Sequence, residues 1–155
     1  MNNKLIEYTG YAVNGLSLLL YFALMPNLPT IPFLKWLAIP GLILFGIGLC
    51  LVVVSSITLA RNRGAGLYTR GIYGLVRHPL YLGAMLLFGT FFFFCPHWIM
   101  FMISLVNIIF VYGSIQQGEQ LNIQKFGDDY RYYMKTVPKI NLLDGIIRLV
   151  QGQQR

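Results

Sequence analysis

Four apolar stretches, at about residues 8–25, 33–59, 79–94 and 98–115, contain one charged residue between them, Lys35. At about 1.5 Å per residue, each can cross most or all of a hydrocarbon layer roughly 30 Å thick. Only 11% of the 155 residues are charged and 56% are hydrophobic. A soluble domain carries roughly 25% charged residues, so the chain has too little polar surface to coat a water-facing fold. The expectation is an all-α membrane protein, a single integral membrane domain over residues 1–155 with about four transmembrane helices. Lys4 ahead of the first run has the look of a signal peptide, but Glu7 and the lack of an A-x-A site favour a retained span.

The stretches carry marks of their own packing. Gly10, Asn14, Gly15 and Ser17 give the first a small, mildly polar side, and Gly41, Gly48 and Ser55 recur every seventh residue along the second. Small residues so spaced form seams where helices approach closely in lipid. Pro40 is placed to kink the second span near its outer end. Cys95-Pro96-His97 turns the third span into the fourth, making a tight final hairpin. The fourth helical pattern outlasts the membrane and runs to Phe126, where Gly127 stands as the residue that ends it. Asp128-Asp129 then caps a short helix through Tyr130, Tyr133 and Met134, which stops before Val137-Pro138. Leu142, Leu143, Ile146, Ile147 and Val150 recur at helical spacing, a strip suited to lie along the membrane surface.

Charge sets the orientation. With four spans, Lys4, Arg61, Arg63, Arg70, Arg77 and the six basic residues from Lys125 to Arg155 share one side, and Lys35 falls opposite. The positive-inside rule places that side, with both termini, in the cytoplasm. The membrane expected is the cytoplasmic (inner) membrane of a prokaryote. The net charge of +7 is therefore read as topology, and nucleic-acid binding is excluded for want of a polar face to carry it. Cys50 and Cys95 both sit in apolar runs and read as buried small hydrophobes. His78 and His97 are separated by a span, so they share no metal, and none is expected.

The chemistry gathers where the polar connection 61–78 meets the third span. Arg77 and His78 stand directly before Pro79, which suits a first helical turn and holds His78 extended. Cations beside the open N–H groups of a helix start make a place for an anionic group. The antiparallel hairpin brings Tyr73, Arg77, His78 and Tyr81 into the space reached by Glu119, Tyr130 and Tyr133. Glu119 is the only acidic residue between Glu7 and Asp128. Its simplest partner is Arg77 or another arginine of the connection, a pairing compatible with a role in catalysis.

The ordered set Gly71, Tyr73, Val76, Arg77, His78, Pro79, Tyr81 and Gly83, then Glu119, then Phe126, Gly127, Tyr130, Tyr133, Val137 and Pro138, resembles the isoprenylcysteine carboxyl methyltransferases and their relatives, the phospholipid N-methyltransferases. The likeness covers about residues 67–140. It implies an integral membrane enzyme that transfers a methyl group from S-adenosylmethionine to an amphiphilic acceptor taken from the bilayer, an isoprenylcysteine-like carboxylate or a phospholipid amine. The cofactor would lie between the last hairpin and the cytoplasmic C-terminal helical segment. By this resemblance Tyr73, His78, Tyr81, Glu119, Tyr130 and Tyr133 are cofactor-binding, and Glu119 and Arg77 serve catalysis. The family's pair of adjacent glutamates is reduced here to Gly118 and Glu119, and Asn141 replaces a proline after Val137-Pro138. Membrane sterol reductases, which use NADPH, carry a related R-H-P-x-Y segment and are the alternative, together with a non-catalytic membrane protein that keeps the pocket.

Overall fold

The computed structural model describes residues 3–29, 32–62, 64 and 66–152, with side chains at all of these except 3–8, 11 and 149. Arg63 and Arg155, counted above among the basic residues, lie outside the described residues, as do the side chains of Lys4 and Glu7. Among the described residues the chain is all-helical: α1 (Asn3–Leu24), α2 (Ala38–Arg61), α3 (Ile72–Leu75), α4 (Pro79–Phe94), α5 (Trp98–Thr136) and α6 (Leu142–Val150). Short 3-10 turns at Met25–Asn27 and Pro32–Leu37 shape the connection from α1 to α2. Two helical stretches, Pro32–Arg61 and Trp98–Thr136, are long and apolar enough to cross a membrane.

The second apolar run differs from its expected form at its start. Residues 32–37 wind as a 3-10 turn, and the α-helix begins only at Ala38. Pro40 thus falls in the first turn of α2, where its missing N–H has no helical partner to lose. Cys50 is also corrected: it is exposed on α2, while Cys95 is buried. A helix so rich in apolar residues has more of them than its single packed face can cover.

That packed face is the seam of small residues. Gly41, Gly48, Leu51 and Ser55 are the buried residues of α2, and α2 packs closely on α4. A Cβ placed on Gly48 would stand 3.0 Å from the Gly83 carbonyl oxygen, and one on Gly83 would stand 2.7 Å from that of Gly48. The two backbones touch where neither helix has a side chain, a contact that dispersion and close approach stabilise without help from water. On the other side of the hairpin α1 leans on α5, with Gly10 opposite Ser114 and Ser17 buried.

Two small cores mark the two ends of the bundle. At the hairpin turn, Tyr21 stacks on Phe91 with ring centroids 4.2 Å apart, over Cys95 and Met100. At the opposite end, Tyr130, Tyr133 and Val137 pack with Leu67, Ile123, Phe126 and Met134. Between them large apolar side chains face outward, among them Phe22, Leu42, Ile43 and Ile109. Such a surface is the reverse of a soluble protein's and suits hydrocarbon surroundings.

Candidate functional site

Two glycines aim the chain into the site. Gly71 (φ 60°, ψ −131°) precedes α3, and Gly127 (φ 56°, ψ −126°) breaks α5 before the helix resumes. Both lie in left-handed backbone that other residues reach only under strain. The first bend delivers Tyr73, the second Tyr130 and Tyr133. The expected end of the long helix at Gly127 therefore takes the form of a sharp redirection.

The segment between α3 and α4 is held by the chain's far end. Val76 is extended, and the Arg77 and His78 N–H groups donate to the carbonyls of Pro138 (2.9 Å) and Lys139 (3.2 Å). Proline at position 79 keeps His78 out of the helix, so its N–H is free to make this bond. The Arg77 guanidinium completes the clasp: Nη1 donates to the carbonyls of Met134 and of Val137 (3.1 Å), and Nη2 to Glu119 Oε1 (2.8 Å). One arginine thus ties the lead-in of α4 to the middle and the end of α5.

Glu119 is 3% exposed and meets three basic side chains, two of them cations. Arg77 and His78 Nε2 (3.4 Å) share Oε1, and Lys139 Nζ lies 2.7 Å from Oε2. Burial pushes this carboxyl up, but the Lys139 hydrogen bond and the charges of Arg77, Lys139 and His78 outweigh it and hold it below its ordinary 4.5. Burial lowers the His78 imidazole below 6.5; Glu119 pulls it back, and Arg77 and Lys139 add to the lowering. The net result is an ionised carboxylate beside a neutral imidazole near pH 7.

A cavity of about 570 Å³ lies in front of this cluster. Tyr73, Arg77, His78, Tyr81, Tyr130 and Tyr133 all line it, together with Tyr68, Phe126, Leu59, Leu67, Asn62, Asn122 and Lys125. Six of the seven residues expected at the site therefore share one chamber. Glu119 is the exception and sits behind the wall, against Arg77 and His78. The Tyr133 hydroxyl donates to the Tyr73 carbonyl and closes the wall between α3 and α5. Burial pushes the Tyr73 phenol up to about 12 and raises Tyr130 and Tyr133 as well, so all three stay neutral.

Among the described residues, the buried Tyr73 Oη, Tyr130 Oη and Arg77 Nε make no hydrogen bond of normal geometry, although Ser55 stands beside the Tyr73 hydroxyl and Asn122 beside that of Tyr130. Lys139 was missed from the sequence, and its only signal there is its position directly after Val137-Pro138. Lys125, Asn62 and Asn122 were missed as lining residues and carry no signal of spacing. His97, as expected, is a turn residue, its Nδ1 accepting from the Ile99 N–H at the start of α5. No group of three or more metal-ligating side chains occurs among the described residues. No protein-family model, curated protein or solved structure matches this chain.

Proposed function

We propose that this chain is an integral membrane methyltransferase that uses S-adenosylmethionine and acts on an amphiphilic acceptor, an isoprenylcysteine-like carboxylate or a phospholipid amine. In this reading α1, α2, α4 and α5 each cross the bilayer, and the site lies at the cytoplasmic end with both termini, in the cytoplasmic membrane of a prokaryote. The observation that carries it is the chamber walled by Tyr68, Tyr73, Tyr81, Tyr130 and Tyr133 together with Arg77 and His78, placed where the apolar helices end.

The residues present fit such a cofactor. The chamber volume lies inside the range of roughly 300–1,000 Å³ usual for small-molecule sites. Tyrosine faces attract a cationic sulfonium, and Lys125 on the chamber wall can receive a carboxylate. Bound there, the cofactor would supply an activated methyl group to the acceptor's oxygen or nitrogen.

The protein's part is alignment and exclusion of water. Leu59, Leu67 and Phe126 line the chamber with apolar surface. Glu119 and Arg77 act by holding His78 and the α4 lead-in in place. A carboxylate acceptor needs only positioning. An ammonium acceptor must first lose a proton, and neutral His78 can take it at Nδ1, the ring nitrogen turned away from the Glu119 contact. Calorimetric titration of detergent-purified protein with S-adenosylmethionine, and separately with NADPH, tests the reading. Saturable binding of the first, lost in His78→Ala, is expected. Binding of NADPH alone makes the chain a reductase, and binding of neither makes it a non-catalytic protein.

A further inference from the structure

Helix α6 has two opposite faces, and only one is spoken for by the protein. Gly145 is buried so tightly that a Cβ there would fall on the Leu75 carbonyl oxygen, at the end of α3. Arg148, on the same side, donates from Nη1 to the Thr136 carbonyl (2.9 Å) and pairs through Nε with Asp144 (3.2 Å). The other face consists of Leu143, Ile146, Ile147 and Val150, with Leu143 73% and Val150 77% exposed. On a helical wheel these four span about 100° and lie opposite Gly145.

The position of α6 decides what can cover that face. Pro138 and Lys139 are bonded to the backbone of Arg77 and His78, at the very start of α4, and α6 begins three residues later. The helix is thus held at the level where the apolar helices begin. Every described basic residue except Lys35 belongs to this end of the molecule, where the C-terminus of α2 and the start of α4 line one chamber. Arg61, Arg70 and Lys135 there are exposed, and the connection from Arg61 to His78 carries no acidic residue. A helix with a narrow apolar stripe, at the depth of the headgroups and beside surplus positive charge, matches an anionic bilayer surface.

We propose that α6 is seated in the interface of the chain's own membrane, apolar face down, and that this seating braces the wall of the chamber. None of the described α6 side chains lines the chamber. Its effect passes through Gly145 on Leu75, Arg148 on Thr136, and the Arg77 and His78 backbone bonds to 138 and 139. The bilayer thereby becomes a structural partner of the site. The proposal rests on the membrane-embedded reading above but on no particular cofactor.

The test uses full-length protein with Cys50→Ser and Cys95→Ala, in nanodiscs of phosphatidylcholine with phosphatidylglycerol. A spin label is attached at Leu143→Cys or, for comparison, at Asp128→Cys on the far side of Gly127. The Leu143→Cys label is expected to be relaxed by oxygen and shielded from an aqueous nickel complex, with the reverse for Asp128→Cys. Equal exposure of both labels to nickel overturns the proposal. So does shielding from both agents with dipolar broadening between copies, which would put a second copy on the face. In the variant Ile146→Lys with Ile147→Lys, amide exchange over residues 76–78 is expected to rise about tenfold, as local opening becomes easier. Unchanged exchange overturns the brace. Neither readout involves S-adenosylmethionine, so failure to bind that cofactor would sink the methyltransferase reading and leave this one standing.

Discussion

Arg77 Nη2 and Glu119 Oε1 are 2.8 Å apart across the junction of α4 and α5, and both side chains are almost wholly buried. An ion pair in such surroundings contributes less to stability than its Coulomb energy suggests, because both charges have left water. Removing one partner is another matter, since the other charge stays buried. Glu119 compensates Arg77 and Lys139 at once.

Glu119→Gln is therefore expected to destabilise the fold by about 3–5 kcal/mol, the usual cost of breaking a buried pair. Thermal unfolding in detergent measures it. Lys139→Ala removes the more exposed partner, at 26% side-chain exposure, and is expected to cost less. An equal or smaller loss in Glu119→Gln would mean that the carboxylate is not the hub of the cluster.

Acid should weaken the same cluster in two stages. The folded pKa of His78 lies below its ordinary 6.5, so the unfolded chain takes up protons first as the pH falls through that value. The Glu119 carboxyl lies below 4.5, and its contribution is present above that pH and lost beneath it. Stability is expected to be full above about pH 6.5 and to decline below. His78→Gln should remove the upper stage of the decline, as followed by melting temperature against pH.

The two pocket tyrosines of α5 separate folding from binding. Tyr133 donates to the Tyr73 carbonyl, so Tyr133→Phe is expected to cost about 0.5–1.5 kcal/mol of stability. The buried Tyr130 hydroxyl makes no hydrogen bond of normal geometry among the described residues, with Asn122 beside it, so Tyr130→Phe is expected to cost less stability than Tyr133→Phe. Cofactor affinity should nevertheless fall in Tyr130→Phe. Undiminished affinity would show that this hydroxyl is no ligand contact.

Glycine substitutions separate contact from propensity. Gly83→Ala would drive a methyl group to 2.7 Å from the Gly48 carbonyl, and overpacking of this kind costs about 1–3 kcal/mol. At Gly118 an added Cβ meets nothing within 4 Å. Gly118→Ala is expected to stabilise α5 by about 0.5–1 kcal/mol through helix propensity alone. Paired melting curves read both, and a stable Gly83→Ala protein would refute the close crossing of α2 and α4.

Local chemistry written along the chain was enough to place most elements. Apolar runs and their breakers located α1, α2, α4, α5 and α6, because helix length in hydrocarbon and the backbone habits of Pro79, Gly127 and Pro138 act over a few residues. The sequence also put Tyr73, Arg77, His78, Tyr81, Tyr130 and Tyr133 in one space, since a tight hairpin leaves little freedom in register. It could not decide what each of them touches. Glu119 read as a cofactor contact and stands instead behind the chamber wall, because three basic side chains from two distant segments converge on its two oxygens. Lys139 was invisible for the same reason: a surface-type residue after a proline becomes part of the core cluster only when 137–139 is laid beside 76–78. The start of α2 at Ala38 and the exposure of Cys50 depend on which face packs, and packing is settled between helices. Periodicity and turn chemistry are properties of neighbours in sequence, whereas ion-pair partners, buried hydroxyls and close glycine crossings are properties of neighbours in space.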